Sequence, residues 1–150
     1  MTGKKSNLGN PPDGHSTITP YLVAHRPHDL INFLAEAFDA VEKARYTASD
    51  GRLEYAEMEI GDSKIMISEA TASNPATPSN INVYVEDVDA VFSRALKAGG
   101  TSESDPQDQP HGERTGVVKD STGNKWLIST QIEKLTVDEI KERVKKAETD

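Results

Sequence analysis

Apolar and polar residues along the chain follow one series of patterns twice. An extended segment, 19–24, precedes a helical pattern and several short alternating segments, and a second extended segment, 80–85, precedes the same series. Apolar residues at every second position are typical of strands, and those at every third or fourth position of amphipathic helices. The pattern predicts an α+β protein with two strand–helix–three-strand modules, whose half-sheets close around a central cavity that holds a small molecule.

The first module has predicted strands near 16–24, 42–48, 53–60 and 64–68. Pro20 has no amide hydrogen to donate, so the first strand is predicted to lie at a sheet edge or a bulge. Asp29 is a candidate N-cap for the helix. The apolar stripe of this helix is formed by Leu30, Ile31, Phe33, Leu34, Ala37 and Phe38.

The second module follows a linker at 70–79 that is rich in Ser, Thr, Pro and Asn. Its helix is predicted to start after Asp87 as N-cap and to end at Gly99–Gly100. Its strands are predicted near 80–85, 101–104, 115–119 and 125–130, with a turn at 120–124 between the last two.

The two ends of the chain differ from the modules. Residues 1–14 are rich in Gly, Pro, Asn and Lys and predict a mobile tail. The domain is predicted at 15–132, with modules at about 15–70 and 79–132. Residues 133–150 predict a C-terminal helix with a capping box at Thr136 and Glu139. Its thin apolar stripe, which includes Val137 and Val144, should dock on the domain or on a second subunit.

The composition of the chain excludes several kinds of partner and of chemistry. The 150 residues carry a net charge of −8, which argues against nucleic acid, because phosphate binding needs clustered Lys and Arg. The chain has no Cys, so disulfides, thiol nucleophiles and Cys-ligated zinc are excluded. Apolar runs are too short for a membrane span, and the N-terminus lacks the apolar core of a signal peptide. We therefore expect a cytoplasmic protein with no membrane partner.

Five stretches together resemble a known family in their order and spacing. They are 18–22, 55–63, 83–92, 108–114 and 120–126. They resemble the glyoxalase/bleomycin-resistance/dioxygenase (vicinal oxygen chelate) superfamily, and within it the PhnB-like branch. The resemblance implies two βαβββ modules that form an open, barrel-like cavity, usually in a homodimer.

The resemblance also implies positions for a divalent metal, on the first and last strands of each module. These positions fall at Thr19, Met66, Asn80 and Leu127. None of them is a His or a carboxylate, which are the donors that such a metal prefers in proteins. Close relatives also often have His where this chain has Tyr55. We therefore predict that the usual metal site is absent and that no cofactor is bound.

Glu57 is the candidate catalytic residue. It shares one strand face with Tyr55 and Glu59, opposite Ala56 and Met58. If the apolar face meets a helix, Glu57 points into the cavity. Loss of hydration there would raise its pKa and suit it as a general base or as a partner for a cationic ligand. The alternative is a solvated face at a sheet edge, which is favoured for Glu59.

The other candidate ligand-binding residues are polar, aromatic or apolar side chains placed by strand alternation or by loops. His111 lies in a loop that either covers the cavity mouth or stays in solvent. Arg114 either clamps a carboxylate or phosphonate or forms a surface ion pair. His25 and His28 flank a turn and are interpreted as solvated. The full set of candidates is Thr19, Tyr21, Tyr55, Met66, Asn80, Asn82, Tyr84, His111, Arg114 and Leu127.

Three functions are compatible with these observations. The first is a metal-free protein of the bleomycin-resistance type that binds a small organic molecule. The second is a lyase or isomerase of the vicinal oxygen chelate superfamily that uses Glu57, or a non-standard metal site, for proton transfer. The third is a dimeric scaffold whose cavity is filled by its own side chains.

Overall fold

The structure is a computed structural model and describes residues 8–150. The first seven residues of the predicted tail lie outside the described part of the chain, and its remaining residues, 8–14, are exposed and form neither helix nor strand. The elements in chain order are β1 (Tyr21–Ala24), α1 (Pro27–Phe38), β2 (Val41–Thr47), β3 (Leu53–Ile60), β4 (Ser63–Glu69), β5 (Asn80–Tyr84), α2 (Val88–Lys97), β6 (Thr101–Asp108), β7 (Glu113–Lys119), β8 (Lys125–Gln131) and α3 (Val137–Thr149). No described helix combines the length and apolarity that a membrane crossing requires.

The strands form two four-stranded sheets with the same topology. Their orders are β1-β4-β3-β2 and β5-β8-β7-β6, and in each sheet the first strand runs parallel to the last. The registers also repeat, since Tyr21 lies opposite Met66 in the first sheet and Asn82 lies opposite Leu127 in the second. The predicted α+β fold of two βαβββ modules is thus confirmed.

Several predicted boundaries were wrong. Strand β1 starts at Tyr21 rather than near residue 16, because Pro20 cannot donate to a ladder and only its carbonyl pairs, with Met66 N at 2.9 Å. Helix α1 starts at Pro27, since proline suits the first position of a helix. Asp29 consequently lies within the first turn and is not the N-cap. Strand β6 continues to Asp108, which pairs with Arg114 of β7.

Alternation along the strands separates the two faces of the first sheet. One face is apolar and buried, through Leu22, Ala24, Ala56, Met58, Ile65 and Ile67. Neighbouring residues on the same strands point to the other face. The buried face therefore fixes which side chains of β3 and β4 lie together on the polar face.

Contacts along the chain divide it into two compact units, and helix α1 joins the second. The first unit contains the described residues up to Pro27 and Ala40–Thr77, and the second contains His28–Asp39 and Pro78–Asp150. Within the second unit, the rings of Phe33 and Phe38 lie 6.3 Å and 5.3 Å from that of Trp126. Trp126 therefore packs against helix α1 and is fully buried.

Asp120 organises the turn before β8. Its buried carboxylate accepts hydrogen bonds from the Trp126 indole at 2.8 Å, from the backbone amides of Thr122 and Asn124, and from both of their side chains. A buried carboxylate is tolerated only when its oxygens are satisfied in this way. The turn therefore anchors Trp126 in the core by a polar as well as an apolar contact.

The predicted caps of the later helices are confirmed. Asp87 accepts from the amide of Ala90 at the start of α2, and Thr136 and Glu139 form a capping box at the start of α3. No residue of α3 is buried, however, and its Val137 and Val144 are exposed. The stripe does not dock on its own domain in the described structure, so docking on a second subunit stays a prediction.

Asp120→Ala should lower the free energy of unfolding by about 3 kcal/mol, because it leaves the buried donors of Trp126 and Asn124 without an acceptor. Urea denaturation measures this loss. Asp50→Ala is the matched control: Asp50 is an exposed turn aspartate that accepts from the Arg52 amide, and its loss should cost less than about 1 kcal/mol. Equal losses in the two variants would contradict the role given to Asp120.

Candidate functional site

The polar face of the first sheet carries a buried carboxylate. Glu57 and Glu59 lie on the same face of β3, but the side chain of Glu57 is 11% exposed and that of Glu59 is 35% exposed. Glu59 pairs with Lys43 at 3.6 Å. The expectation that Glu59 is the more solvated of the two is confirmed, and the polar face at Glu57 is shielded from water.

Three donor groups from separate segments converge on the Glu57 carboxylate. The Tyr55 hydroxyl donates to Oε2 at 2.7 Å, and Lys64 Nζ lies 3.1 Å from Oε1. Nε2 of His15 lies 3.3 Å from Oε2. Tyr55 comes from the same strand and Lys64 from β4, whereas His15 belongs to the segment before β1. These contacts satisfy both oxygens of the carboxylate.

The pKa of Glu57 is lowered, so the predicted rise was wrong. Burial by itself raises this pKa, but hydrogen bonds from Tyr55 and Lys64, with the charges of His15 and Lys64, outweigh the burial. Burial raises the pKa of Tyr55, and its hydrogen bond to the Glu57 carboxylate raises it further. At neutral pH the pair therefore consists of a carboxylate and a protonated phenol.

Tyrosine rings flank this carboxylate. The rings of Tyr55 and Tyr46 are stacked with centroids 5.4 Å apart. The hydroxyl of Tyr21, on β1, shares a hydrogen bond with Ser68, whose hydroxyl in turn donates to the carbonyl of Glu54. Tyr21 and Tyr46 are exposed, so their rings are available to an organic ligand.

The second sheet has an uncharged network at the equivalent strands. Ser129 donates to Oδ1 of Asn82 at 2.9 Å and shares a 3.0 Å hydrogen bond with Thr115. Ser129 is buried. Asn82 and Ser129 occupy in β5 and β8 the places that Tyr21 and Ser68 occupy in β1 and β4, because the two registers repeat.

An open depression of about 530 Å³ lies at the end of the second sheet. Tyr84 donates to Oε2 of Glu113 there at 2.7 Å, which raises the pKa of the phenol, and His111 Nε2 lies 3.3 Å from Oε1 of Glu113. The structure thus brings two candidate residues, Tyr84 and His111, to one carboxylate. The depression is lined by Tyr84, Val85, Glu86, Glu113, Thr130 and Gln131.

Arg114 forms the surface ion pairs that were the alternative to a ligand clamp. Its guanidinium binds both carboxylate oxygens of Asp89 at 3.0 Å and Oδ1 of Asp108 at 3.0 Å. These two carboxylates raise the pKa of Arg114. A ligand carboxylate would have to displace one of them, and Arg114 is therefore the weakest of the ligand-binding candidates.

The four positions implied for a metal do not fit one. Met66 and Leu127 lie at equivalent places in β4 and β8 and offer a thioether and an alkyl group. Thr19 and Asn80 offer a neutral hydroxyl and a neutral amide. Within residues 8–150, no group of three or more His, Asp or Glu side chains is placed to hold a metal ion.

Sequence reasoning missed His15 and Lys64, which contact Glu57, and Glu113, which contacts Tyr84 and His111. The surroundings of His15, at the predicted start of the domain, have no periodic pattern that would place its side chain. The contact of Lys64 with Glu57 could have been predicted. The turn at Gly61 fixes a hairpin register in which Lys64 lies opposite Glu59 and diagonal to Glu57. Glu113 lies in the stretch 108–114 but is not among the candidates, because no local pattern places its side chain beside Tyr84.

Comparisons with known proteins agree with the fold. The model of the glyoxalase/bleomycin resistance protein/dioxygenase superfamily matches residues 16–128. An uncharacterised protein of Mycobacterium bovis is 35% identical over 134 residues, which cover 82% of this chain and 88% of the relative. An uncharacterised protein of Mycobacterium tuberculosis is likewise 35% identical over 134 residues, covering 79% of that relative and 82% of this chain.

Solved structures share the fold. TioX from Micromonospora has a TM-score of 0.63 at 24% identity, covering 81% of this chain and 100% of TioX. A PhnB protein from Bacillus cereus, described as a putative 3-demethylubiquinone-9 3-methyltransferase, has a TM-score of 0.59 at 19% identity and covers 77% of this chain and 99% of its own. With the family match over most of its length, this chain belongs to the glyoxalase/bleomycin resistance protein/dioxygenase superfamily.

Proposed function

We propose that the protein binds a small organic molecule on the polar face of its first sheet, without a divalent metal, and that Glu57 anchors the ligand. The observation that carries this proposal is the ionised, largely buried Glu57 carboxylate, held by Tyr55 and Lys64. A few fixed polar groups beside apolar and aromatic surface are typical of small-molecule sites. Homodimerisation and a cytoplasmic location remain part of the proposal.

The neighbours of Glu57 complete the proposed lining. Met66 lies directly opposite Glu57 on β4, and Tyr21 lies opposite Met66 on β1. A thioether and a phenol ring offer polarisable surface to an organic ligand, and Thr19 precedes β1 with a half-buried hydroxyl. Within the second unit taken by itself, the residues proposed to bind a ligand are Asn80, Asn82, Tyr84, His111, Leu127 and, most weakly, Arg114.

The protonation states of Glu57 and Tyr55 support ligand binding better than they support catalysis. A general acid or base works best when its pKa lies near the working pH. Here the pKa of Glu57 is lowered and that of Tyr55 is raised, so both move away from neutrality. A lyase or isomerase reaction would need a proton donor or acceptor that this pair supplies poorly, whereas an ionised carboxylate suits recognition of a hydrogen-bond donor.

Glu57→Gln should weaken ligand binding by roughly tenfold to a hundredfold, the range expected when a hydrogen bond to a charged group is lost. The measurement is a thermal-shift screen with benzamidine, imidazole, phenol and benzoate, followed by calorimetry of any probe that raises the midpoint. Glu59→Gln is the matched control, on the same strand and face, and should keep the parent affinity. If Glu57→Gln binds every probe as the parent does, Glu57 is not the anchor.

Stability should fall more steeply in acid for the parent than for Glu57→Gln. Because the folded-state pKa of Glu57 is lowered, its contribution is fully present above the ordinary Glu pKa of about 4.3 and is lost as the pH falls through the lower, folded-state value. Urea midpoints between about pH 6 and about pH 3 measure this difference. Parallel curves for the two proteins would show that Glu57 has the same pKa in the folded and unfolded chains.

Removal of metal should leave the protein unchanged. Protein purified without a metal-affinity tag should contain well below one equivalent of any divalent metal by elemental analysis. Its thermal midpoint should be the same with and without EDTA, because an ion bound only by the native state would raise that midpoint. Stoichiometric metal that survives gel filtration would overturn the metal-free part of the proposal.

A further inference from the structure

The segment before β1 reaches the Glu57 carboxylate through a turn at Pro12–His15. The amide of His15 donates to the carbonyl of Pro12 at 3.0 Å, and Gly14 has φ of 81°, a conformation that favours glycine. A Cβ at Gly14 would lie 3.2 Å from Nζ of Lys64. The turn is therefore shaped to bring its backbone against Lys64 and its imidazole against Glu57.

His15 is the main buried attachment of this segment. Its side chain is 14% exposed, whereas Leu8 and Ile18, the large apolar residues on either side, are 69% and 84% exposed. The intervening residues 9–14 are exposed as well. Segments with few buried apolar contacts open at a small free-energy cost. Nothing in the described contacts of residues 8–18 makes release of His15 expensive, apart from the bond to Glu57 itself.

The imidazole also has the chemistry of a ligand group. It is a planar ring that offers an N–H to a carboxylate, as imidazolium, amidinium and guanidinium groups do. Tyr55 and Lys64 remain on Glu57 when His15 leaves, because they belong to the sheet. The carboxylate would then have one open acceptor direction, facing the place that the ring had filled.

We infer that His15 is an internal competitor at the Glu57 site, occupying the place of a planar nitrogenous cation or donor group that the protein binds. The inference rests on the proposed function and specifies its ligand class and its regulation: ligand binding and docking of the turn exclude each other. The apparent dissociation constant of such a site rises by the reciprocal of the fraction of molecules in which the site is open.

Removal of the competitor should therefore tighten binding. In the full chain, purified without a polyhistidine tag, His15→Ala should bind imidazole and benzamidine about fivefold to tenfold more tightly than the parent, as expected if the turn is docked in most molecules. Gly14→Ala should act in the same direction, since it strains the turn and keeps the imidazole. Amide chemical shifts of Met66 and Lys64, followed by NMR titration, measure both affinities.

Three controls separate this inference from simpler ones. His25→Ala removes an exposed histidine of the same unit and should leave affinity unchanged. Acetate tests for an anion site at Lys64, and tighter acetate binding in His15→Ala, with imidazole unaffected, would overturn the inference. So would parent-like or weaker imidazole binding in both His15→Ala and Gly14→Ala. If imidazole binding does not tighten in either variant but Glu57→Gln abolishes it, Glu57 anchors the ligand and His15 does not compete with it. If Glu57→Gln also binds imidazole as the parent does, both the proposed function and this inference fail.

Discussion

The phase of side-chain alternation along β3 and β4 is the constraint on which the first unit depends. Ala56 and Met58 must be buried, and a shift of one residue would expose them and bury Tyr55 and Glu57 in an apolar layer. The hairpin at Gly61 and the parallel pairing of β1 with β4 hold this register. Glu57 lies on the polar face as a consequence of burying its neighbours, and Lys64 and Tyr55 then make its own burial tolerable.

The two sheets have the same topology and register but carry different side chains at equivalent positions. Met66 in the first sheet and Leu127 in the second occupy equivalent positions. The residue opposite Met66 is Glu57 on β3, and the residue opposite Leu127 is Val117 on β7. The first sheet thus carries an ionised residue where the second carries an alkyl side chain. At another equivalent register position, the first sheet carries the phenol ring of Tyr21 and the second carries the amide of Asn82. The two sheets share one backbone pattern but present different polar faces, so the proposed ligand recognition is asymmetric between them.

Sequence patterns predicted what depends on neighbours in the chain. Strand β3 was predicted with the bounds that the structure has, and Asp87 and the Thr136 capping box were correct, because alternation and capping are local. The grouping of α1 with the second sheet and the contact of His15 with Glu57 were not predictable, since both join segments that are distant in the chain. The pKa of Glu57 was wrong in sign because burial was weighed without the donors that burial brings together.

The protein as a whole is strongly acidic, with a net charge of −8, while the Glu57 carboxylate is locally compensated by Lys64 and His15. The net charge of the protein and the local surroundings of Glu57 act differently on a ligand. The overall field raises the local concentration of cations near the surface and fades over about 10 Å at ordinary salt. In the proposed mode of binding, recognition at Glu57 exchanges one nitrogen donor for another, without creating an uncompensated buried charge. An exchange of this kind avoids the large desolvation cost of separating a buried ion pair, so a weakly attached histidine is a suitable occupant for the free site.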